Sequence, residues 1–296
     1  MLFVDGVGIG KEDYVFNPFF KYQFKSLLET FGSIPSLTNS HLQKNGFYLF
    51  PVDATLGVEG LPQSGTGQTS IFSGVNAAKL IGKHFGPYPY STLIPAIKEK
   101  NIFKYYLDKG KKAFFANAYP KVFFQYLHQG KSRLSVTSLS CRLNGMRLNR
   151  VSEVRQGKAL TAEITNERWN LKLGYNLPII KPQTAAKRLL RIASQNDFTL
   201  YEYFLTDHIG HGRYDDTVDR IINDFDIFLL TIFQELYKYN ITLILCSDHG
   251  NFEDVSIKTH TLNPALTITG GKYSRELSEM IKDLTQIKSA IIKTVR

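Results

Sequence analysis

Cysteine is nearly missing from this chain of 296 residues: there are two, Cys141 and Cys246. Two thiols cannot build a disulfide framework, and they exclude a metal site made of several thiolates. Cys246 lies in an apolar run and reads as a core thiol. With so little cysteine, a reducing, cytoplasmic compartment is expected. No apolar run approaches the roughly 18 residues of a membrane span, so no membrane partner is expected. The chain opens MLFVDG with no charged segment or cleavage site before its first strand, and no secretory signal is expected. Repeats and low-complexity linkers are also lacking. Acidic residues are the minority, 26 against 36 basic, giving a formal charge of +10. That balance suits an anionic substrate. The basic residues are spread out, however. Their densest short cluster, Lys109, Lys111 and Lys112, holds no arginine, and no nucleic-acid partner is expected.

What is present describes a globular chain. Hydrophobic residues make up 43% and charged residues 21%, too apolar for disorder. Short apolar runs alternate with helical patterns, which predicts an α/β fold: a three-layer α/β/α sandwich with a mostly parallel central sheet. The clearest strands are Leu2–Val4, Ala113–Ala118, Leu200–Leu205, Ile241–Cys246 and Ala265–Thr269. The clearest helices are Gln68–Leu80, Leu93–Asp108, Thr184–Gln195, Asp216–Tyr237 and Arg275–Ile292. The length fits one unit over residues 1–296. Residues 120–182, with Trp169 and turn pairs such as Asn144-Gly145, read as a small peripheral cap within it.

Three strands end at or near an aspartate: Asp5 after LFV, Asp207 after LYEYFLT and Asp248 after ITLILCS. Open α/β sheets place ligand sites outside the carboxyl ends of their strands. Asp207 and His211 stand four apart and can face one point if the chain turns there. His208 need not point the same way and is left out. Asp248 and His249 are adjacent at a strand end, and His260 follows beyond a loop in THTLNP. Mixed carboxylate and imidazole donors suit Zn²⁺ or Mn²⁺. Asp5, Asp207, His211, Asp248, His249 and His260 exceed the roughly three protein ligands of a catalytic zinc, so two divalent ions are the economical reading.

The stretch Pro62-Gln63-Ser64-Gly65-Thr66-Gly67-Gln68 precedes a helix, where backbone N–H groups and the dipole favour an anion. A hydroxyl there, activated by a metal, is suited to attack phosphorus. Amides near Gly65 and Thr66 are candidates for holding the equatorial oxygens. Beyond the helix, Lys83 and His84 open a basic turn that is a candidate for a substrate anion. Asp5-Gly6-Val7-Gly8-Ile9-Gly10 alternates its glycines as G-x-G-x-G, which is not the dinucleotide pattern G-x-G-x-x-G.

Taken in order, DGVGIG, QSGTGQTSIFSG, TDHIGH, SDHGN and THTLNP resemble the alkaline phosphatase superfamily of metalloenzymes. Within it, the chain looks most like the branch of cofactor-independent phosphoglycerate mutase and phosphopentomutase. The resemblance implies that Asp207, His211 and His260 bind one metal, and that Asp5, Asp248 and His249 bind the second. Ser64 matches the nucleophile, since Ser64-Gly65-Thr66-Gly67 looks like the S-x-x-G of the mutases; Thr66 is the fallback. The implied chemistry is in-line attack on the phosphate ester of a small phosphorylated metabolite, giving a phosphoseryl enzyme. Water or a second substrate hydroxyl then takes the phosphoryl group. Two departures stand out. The chain is too short for the mutases' large inserted domain, and Gln68 stands where they carry a histidine. The C/S-x-P-x-R of sulfatases is missing, since Cys141-Arg142-Leu143 does not fit it.

Two other readings remain open. A phosphodiesterase or nucleotide pyrophosphatase on the same core needs an aromatic slot beside the nucleophile, for which Phe72 and the Phe85–Tyr90 stretch are candidates. A non-catalytic metal-binding protein would need the ligands but not Ser64.

Overall fold

The computed structural model of the chain describes residues 1–130, 133–214 and 217–294. Among them, seven strands form one sheet: Leu2–Val4 (β1), Leu42–Lys44 (β2), Phe47–Val52 (β3), Ala113–Phe115 (β4), Phe198–Tyr203 (β5), Leu243–Cys246 (β6) and Ala265–Gly270 (β7). Their spatial order is β2-β3-β7-β6-β1-β5-β4. Parallel pairing joins β6, β1, β5 and β4. Antiparallel pairing adds β7, β3 and β2 at the other side. The strands β1, β3, β4, β5 and β6 therefore run one way, and β2 and β7 run against them. The sheet is mostly parallel by direction and mixed by pairing.

The strands alternate between two cores, as the period of two requires. Leu2, Val4, Tyr201, Tyr203, Leu243 and Leu245 face a core shared with the helices Lys25–Phe31, Pro182–Ala193 and Val218–Glu235. Phe3, Leu200, Ile244 and Cys246 face a second core, shared with Ser64–Ser73, Ile102–Asp108 and Gln286–Thr294. Helices thus cover both faces, which makes the three layers. β1, β5 and β6 are buried along their whole length. Strands buried on both faces read as continuous apolar runs, which is why these were visible in the sequence.

The boundaries shift for local reasons. The first long helix begins at Ser64, breaks after Ser73 and resumes at Ala77–Ile81, where the Asn76 side chain accepts from the Lys79 amide. The helix expected over 93–108 divides at Asn101, whose side chain caps Ile102–Asp108 in the same way. Arg275–Ile292 divides into Ser274–Met280 and Gln286–Thr294. The expected start at Asp216 lies outside the described residues; the helix is described from Val218 to Glu235. The strand expected to reach Leu205 stops at Tyr203, because Leu205–Gly210 turns into a short helix. The β2–β3 hairpin was not anticipated. Its signal is Asn45-Gly46, both at positive φ (51° and 76°), as a two-residue hairpin turn demands.

Of residues 120–182, Lys131 and Ser132 lie outside the described residues. Cys141 and Leu148 pack into one main core, and Leu160 and Ile164 into the other. Trp169, Val154, Ala159 and Leu177 form a small cluster of their own with Ala118. Both cysteines are buried and unpaired, and burial pushes each thiol up. No helix among the described residues is long and apolar enough to cross a membrane.

One cap spans the layer. Asp226, on Val218–Glu235, accepts the amides of Lys25 (2.8 Å) and Ser26 (2.8 Å) at the start of Lys25–Phe31. The N-cap residue of that helix, Phe24, has no side-chain acceptor to offer. Asp226→Ala is expected to lower the unfolding free energy by roughly 1–2 kcal/mol in urea titration. An unchanged midpoint would show that the cap contributes nothing.

Candidate metal centre

β5, β1 and β6 are neighbours and parallel, so their carboxyl ends open side by side. Asp5 follows β1 directly, and its amide donates to Tyr203 O at the end of β5 (2.9 Å). Asp248 follows β6 by two residues and accepts the Gly6 amide on Oδ1 (3.3 Å). Asp207 sits in the helical turn Leu205–Gly210 after β5. That turn puts His211 on the same face, with Nε2 3.3 Å from Asp207 Oδ1.

The six residues gather as two triads. In each of Asp207–His211–His260 and Asp5–Asp248–His249, the donor atoms lie within 4.8 Å of one another. The rings of His249 and His260 stack with centroids 3.7 Å apart, so the triads adjoin. Asp5, Asp207, Asp248, His249 and His260 are buried, and His211 is part-exposed.

The imidazoles are oriented alike. Nδ1 of His211 meets Lys258 O (2.9 Å), Nδ1 of His260 meets Pro62 O (2.6 Å), and Nδ1 of His249 meets Gly250 O (3.3 Å). A carbonyl only accepts, so each Nδ1 carries the hydrogen and each neutral ring presents its Nε2 lone pair inward. His211 Nε2 and His260 Nε2 then stand 3.2 Å apart. Two lone pairs cannot bond each other; a cation between them removes the conflict. Asp5 Oδ1 is buried with no hydrogen-bond partner among the described residues. Orphaned carboxylate oxygen and converging Nε2 atoms fit divalent cations, by donor chemistry and by number.

The electrostatics agree. Burial, and then the charges of Asp248, Asp207 and Glu202, hold the Asp5 carboxyl well above the usual carboxylate range. Burial also pushes Asp207 up. There the imidazoles of His260, His249 and His211, when protonated, and a hydrogen bond from Asn251 outweigh it, and the net shift is downward.

Ser64 is the first residue of the helix Ser64–Ser73, is buried, and holds Oγ 3.0 Å from His249 Nε2. Thr66 points elsewhere. Its Oγ1 donates to Gln63 O (3.0 Å) and accepts from Phe85 N (3.2 Å), and its amide is spent on Phe85 O (2.9 Å). Its hydroxyl hydrogen and its amide are both engaged within the protein. Lys83 lies over the rings of Phe85 (5.9 Å) and Tyr90 (5.5 Å), and His84 Nε2 meets Val58 O (3.2 Å). No contact recorded among the described residues joins either to the triads. Phe72 is in the core against Phe3, which removes it as the wall of a slot, whereas Phe85 packs edge-on against Tyr90 and both stay part-exposed. His208, left out of the site, packs against Phe204 and Tyr214.

Several residues around the centre were missed. Gln68 Nε2 reaches Asp5 Oδ2 (3.3 Å) and Asp248 Oδ2 (3.2 Å). Asn251 Nδ2 holds Asp207 Oδ1 (2.8 Å). Glu202, buried inside β5, takes a hydrogen bond from Thr137 Oγ1 (2.6 Å). A lone carboxylate within an apolar strand was its signal.

Residues 175–296 match the family model of the Metalloenzyme superfamily. That span holds Asp207, His211, Asp248, His249 and His260; Asp5 and Ser64 lie before it. No curated protein matches the chain by sequence. Among solved structures, the chain is similar to the PH0037 protein of Pyrococcus horikoshii at 11% identity and a TM-score of 0.50, covering 99% of this chain and 96% of that one. It is also similar to alkaline phosphatase from the Antarctic bacterium TAB5, at 13% identity and a TM-score of 0.47, covering 99% of this chain and 97% of that one. For phosphoglycerate mutase of Leishmania mexicana the values are 14% and 0.38, covering 67% of this chain and 37% of that one. At such identities the likeness is one of fold, and it rests on the first of the three.

Glu202 generates a pH prediction. Burial, and then the charge of Asp248, raise it from 4.5 to about 7, against the hydrogen bond from Thr137. A raised folded pKa means that stability is fully present below 4.5 and is lost as pH climbs through 7. In metal-free protein, Glu202→Gln is expected to remove this loss, on the order of 3 kcal/mol between pH 5 and pH 8. Urea unfolding at both pH values checks it, and parallel pH dependence in the two proteins would refute it.

Proposed function

We propose that this chain is a two-metal phosphoryl-transfer enzyme acting on a small phosphorylated metabolite through a phosphoseryl intermediate. The observation that carries the reading is the position of Ser64. Its Oγ sits at a helix start, 3.0 Å from His249 Nε2, beside two adjoining triads of metal-type donors. In this reading Asp207, His211 and His260 hold one divalent cation, and Asp5, Asp248 and His249 hold the other, with Zn²⁺ or Mn²⁺ suiting the donors. Bound there, the pair supplies Lewis-acid stabilisation of phosphoryl oxygens and activation of a hydroxyl.

The chain's own residues do the rest. Ser64 loses its hydroxyl proton to water and attacks phosphorus in line; its O–P bond forms as the bond to the leaving oxygen breaks, and that oxygen takes a proton back from water. The helix start favours the anion, and the net charge of +10 draws it in. Burial of Ser64 limits competing water during the first transfer. Thr66 offers no second nucleophile, because its hydroxyl is occupied. Water, or a second hydroxyl of the substrate, then takes the phosphoryl group. The proposal treats residues 1–296 as one unit, with 120–182 contributing to both of its cores. The same core serves phosphodiester substrates, but burial of Phe72 removes one support for that alternative.

Purified protein loaded with Mn²⁺ or Zn²⁺ is expected to release p-nitrophenol from p-nitrophenyl phosphate, and Ser64→Ala to abolish release while keeping its metal. A Ser64→Ala variant as fast as wild type would sink the nucleophile assignment. His260→Ala is expected to lose one equivalent of metal and at least about a hundredfold in rate, since a Lewis acid contributes several kcal/mol. Wild-type metal content together with wild-type rate in that variant would refute the ligand set.

A further inference from the structure

Glu253 belongs to neither triad, yet it is buried to 1% exposure. Its carboxylate accepts four hydrogen bonds from three stretches of chain, one after β1 and two at opposite ends of the single connection between β6 and β7. Oε2 takes the amides of Gly8 (2.7 Å) and Asn251 (2.8 Å). Oε1 takes Thr261 Oγ1 (2.5 Å) and Asn263 Nδ2 (3.0 Å). Each stretch carries residues of the centre. Gly8 follows Asp5, Asn251 follows Asp248 and His249, and Thr261 follows His260 directly.

Two of the three alternating glycines of DGVGIG are explained by the same side chain; the third, Gly6, lies at φ 68° against Asp207. A Cβ on Gly8 would lie 2.6 Å from Glu253 Cδ, and one on Gly10 would lie 2.8 Å from Glu253 Cγ. Neither glycine is there for a phosphate; both leave room for this carboxyl group. Backbone bonds also connect the loops, such as Thr261 N to Gly250 O (3.0 Å) and Ile9 N to Pro264 O (2.9 Å), but each joins only two of them. Glu253 joins all three at one point.

We propose that Glu253 is the positioning residue that holds three ligand-bearing stretches in register: the one after β1 and the two ends of the connection between β6 and β7. The effect on metal affinity rests on the proposed function; the effect on the loops does not. The chemistry demands an acceptor on both oxygens. Gly8 N and Asn251 N are backbone donors and cannot reverse. Thr261 can turn its hydroxyl and Asn263 can flip its amide. A glutamine therefore keeps its oxygen toward Gly8 and Asn251 and turns its NH₂ toward the adaptable pair. Leucine has similar bulk and no acceptor.

The test joins amide hydrogen exchange with Mn²⁺ titration of the full chain. In Glu253→Leu, exchange at Gly8, at Asn251 and across 260–263 is expected to quicken at least about tenfold, while β1 and β5 stay protected. Mn²⁺ affinity is expected to fall roughly ten- to a hundredfold, as for lost outer partners of metal ligands. Glu253→Gln is expected to fall between leucine and wild type in both readouts. Three outcomes overturn the proposal: wild-type exchange in the loops at 6–10 and 260–263, quickening confined to residues beside 253, or quickening in every element including β1 and β5. If Glu253→Leu does not fold, Thr261→Val replaces it. That variant removes one donor and is expected to quicken exchange at Gly8, which shares the carboxylate with Thr261. Unchanged exchange at Gly8 overturns the proposal. Wild-type protein that binds no Mn²⁺ would instead overturn the proposed function, and the exchange arms would still decide the role of Glu253.

Discussion

Three aspartates are gathered at the ends of three adjacent strands, buried and close enough that Asp5 feels the charge of the other two. Asp5 shows the strain most clearly. It is pushed far up by burial and by Asp248, Asp207 and Glu202, and one of its oxygens has no partner among the described residues. Like charges in a buried place persist only if something positive answers them. The surrounding structure is arranged for that answer. Three imidazoles are pinned by their Nδ1 hydrogens and turn their lone pairs toward the carboxylates. Hydrogen bonds from Gln68, Asn251 and the Gly6 amide take up some of the carboxylate oxygens without neutralising the group.

The sheet makes this arrangement possible. Parallel neighbours β5, β1 and β6 bring three carboxyl ends to one edge. The helix carrying Ser64 packs on the face that holds Phe3 and Cys246, which brings its first turn to the same edge. The arrangement costs stability, since Glu202 and Asp5 are acids buried where their charged forms are disfavoured. Sites prepared for cations commonly carry such a cost, and the cation offsets it.

Much of this was legible in the chain itself, for reasons specific to each element. β1 and β6 are continuous apolar runs, and β5 is apolar apart from Thr199 and Glu202, each with an aspartate close behind, because both of their faces are buried. The hairpin of β2 and β3 was overlooked although β3, FYLFPV, is an apolar run: Pro51 inside it argues against a strand, and its partner β2 is three residues and part-exposed. Long helical patterns were visible, but their interruptions at Asn76 and Asn101 were not, since each depends on one side chain capping the next segment. Glu253 and Glu202 escaped notice because an isolated acid in a sequence gives no sign of whether four donors or a single hydroxyl will meet it.

The sequence by itself determined the layered α/β class, the strand ends where chemistry gathers, and the six donors, because hydrophobic period and residue type are local properties. Tertiary structure alone decided how those donors divide and which hydroxyl joins them. The helix begins at Ser64, earlier than its pattern suggests, so Ser64 and Thr66 stand on one helical turn, roughly 200° apart around the axis. Only one of them can face His249. The fold turns Ser64 toward the centre and gives the Thr66 hydroxyl to Gln63 and Phe85.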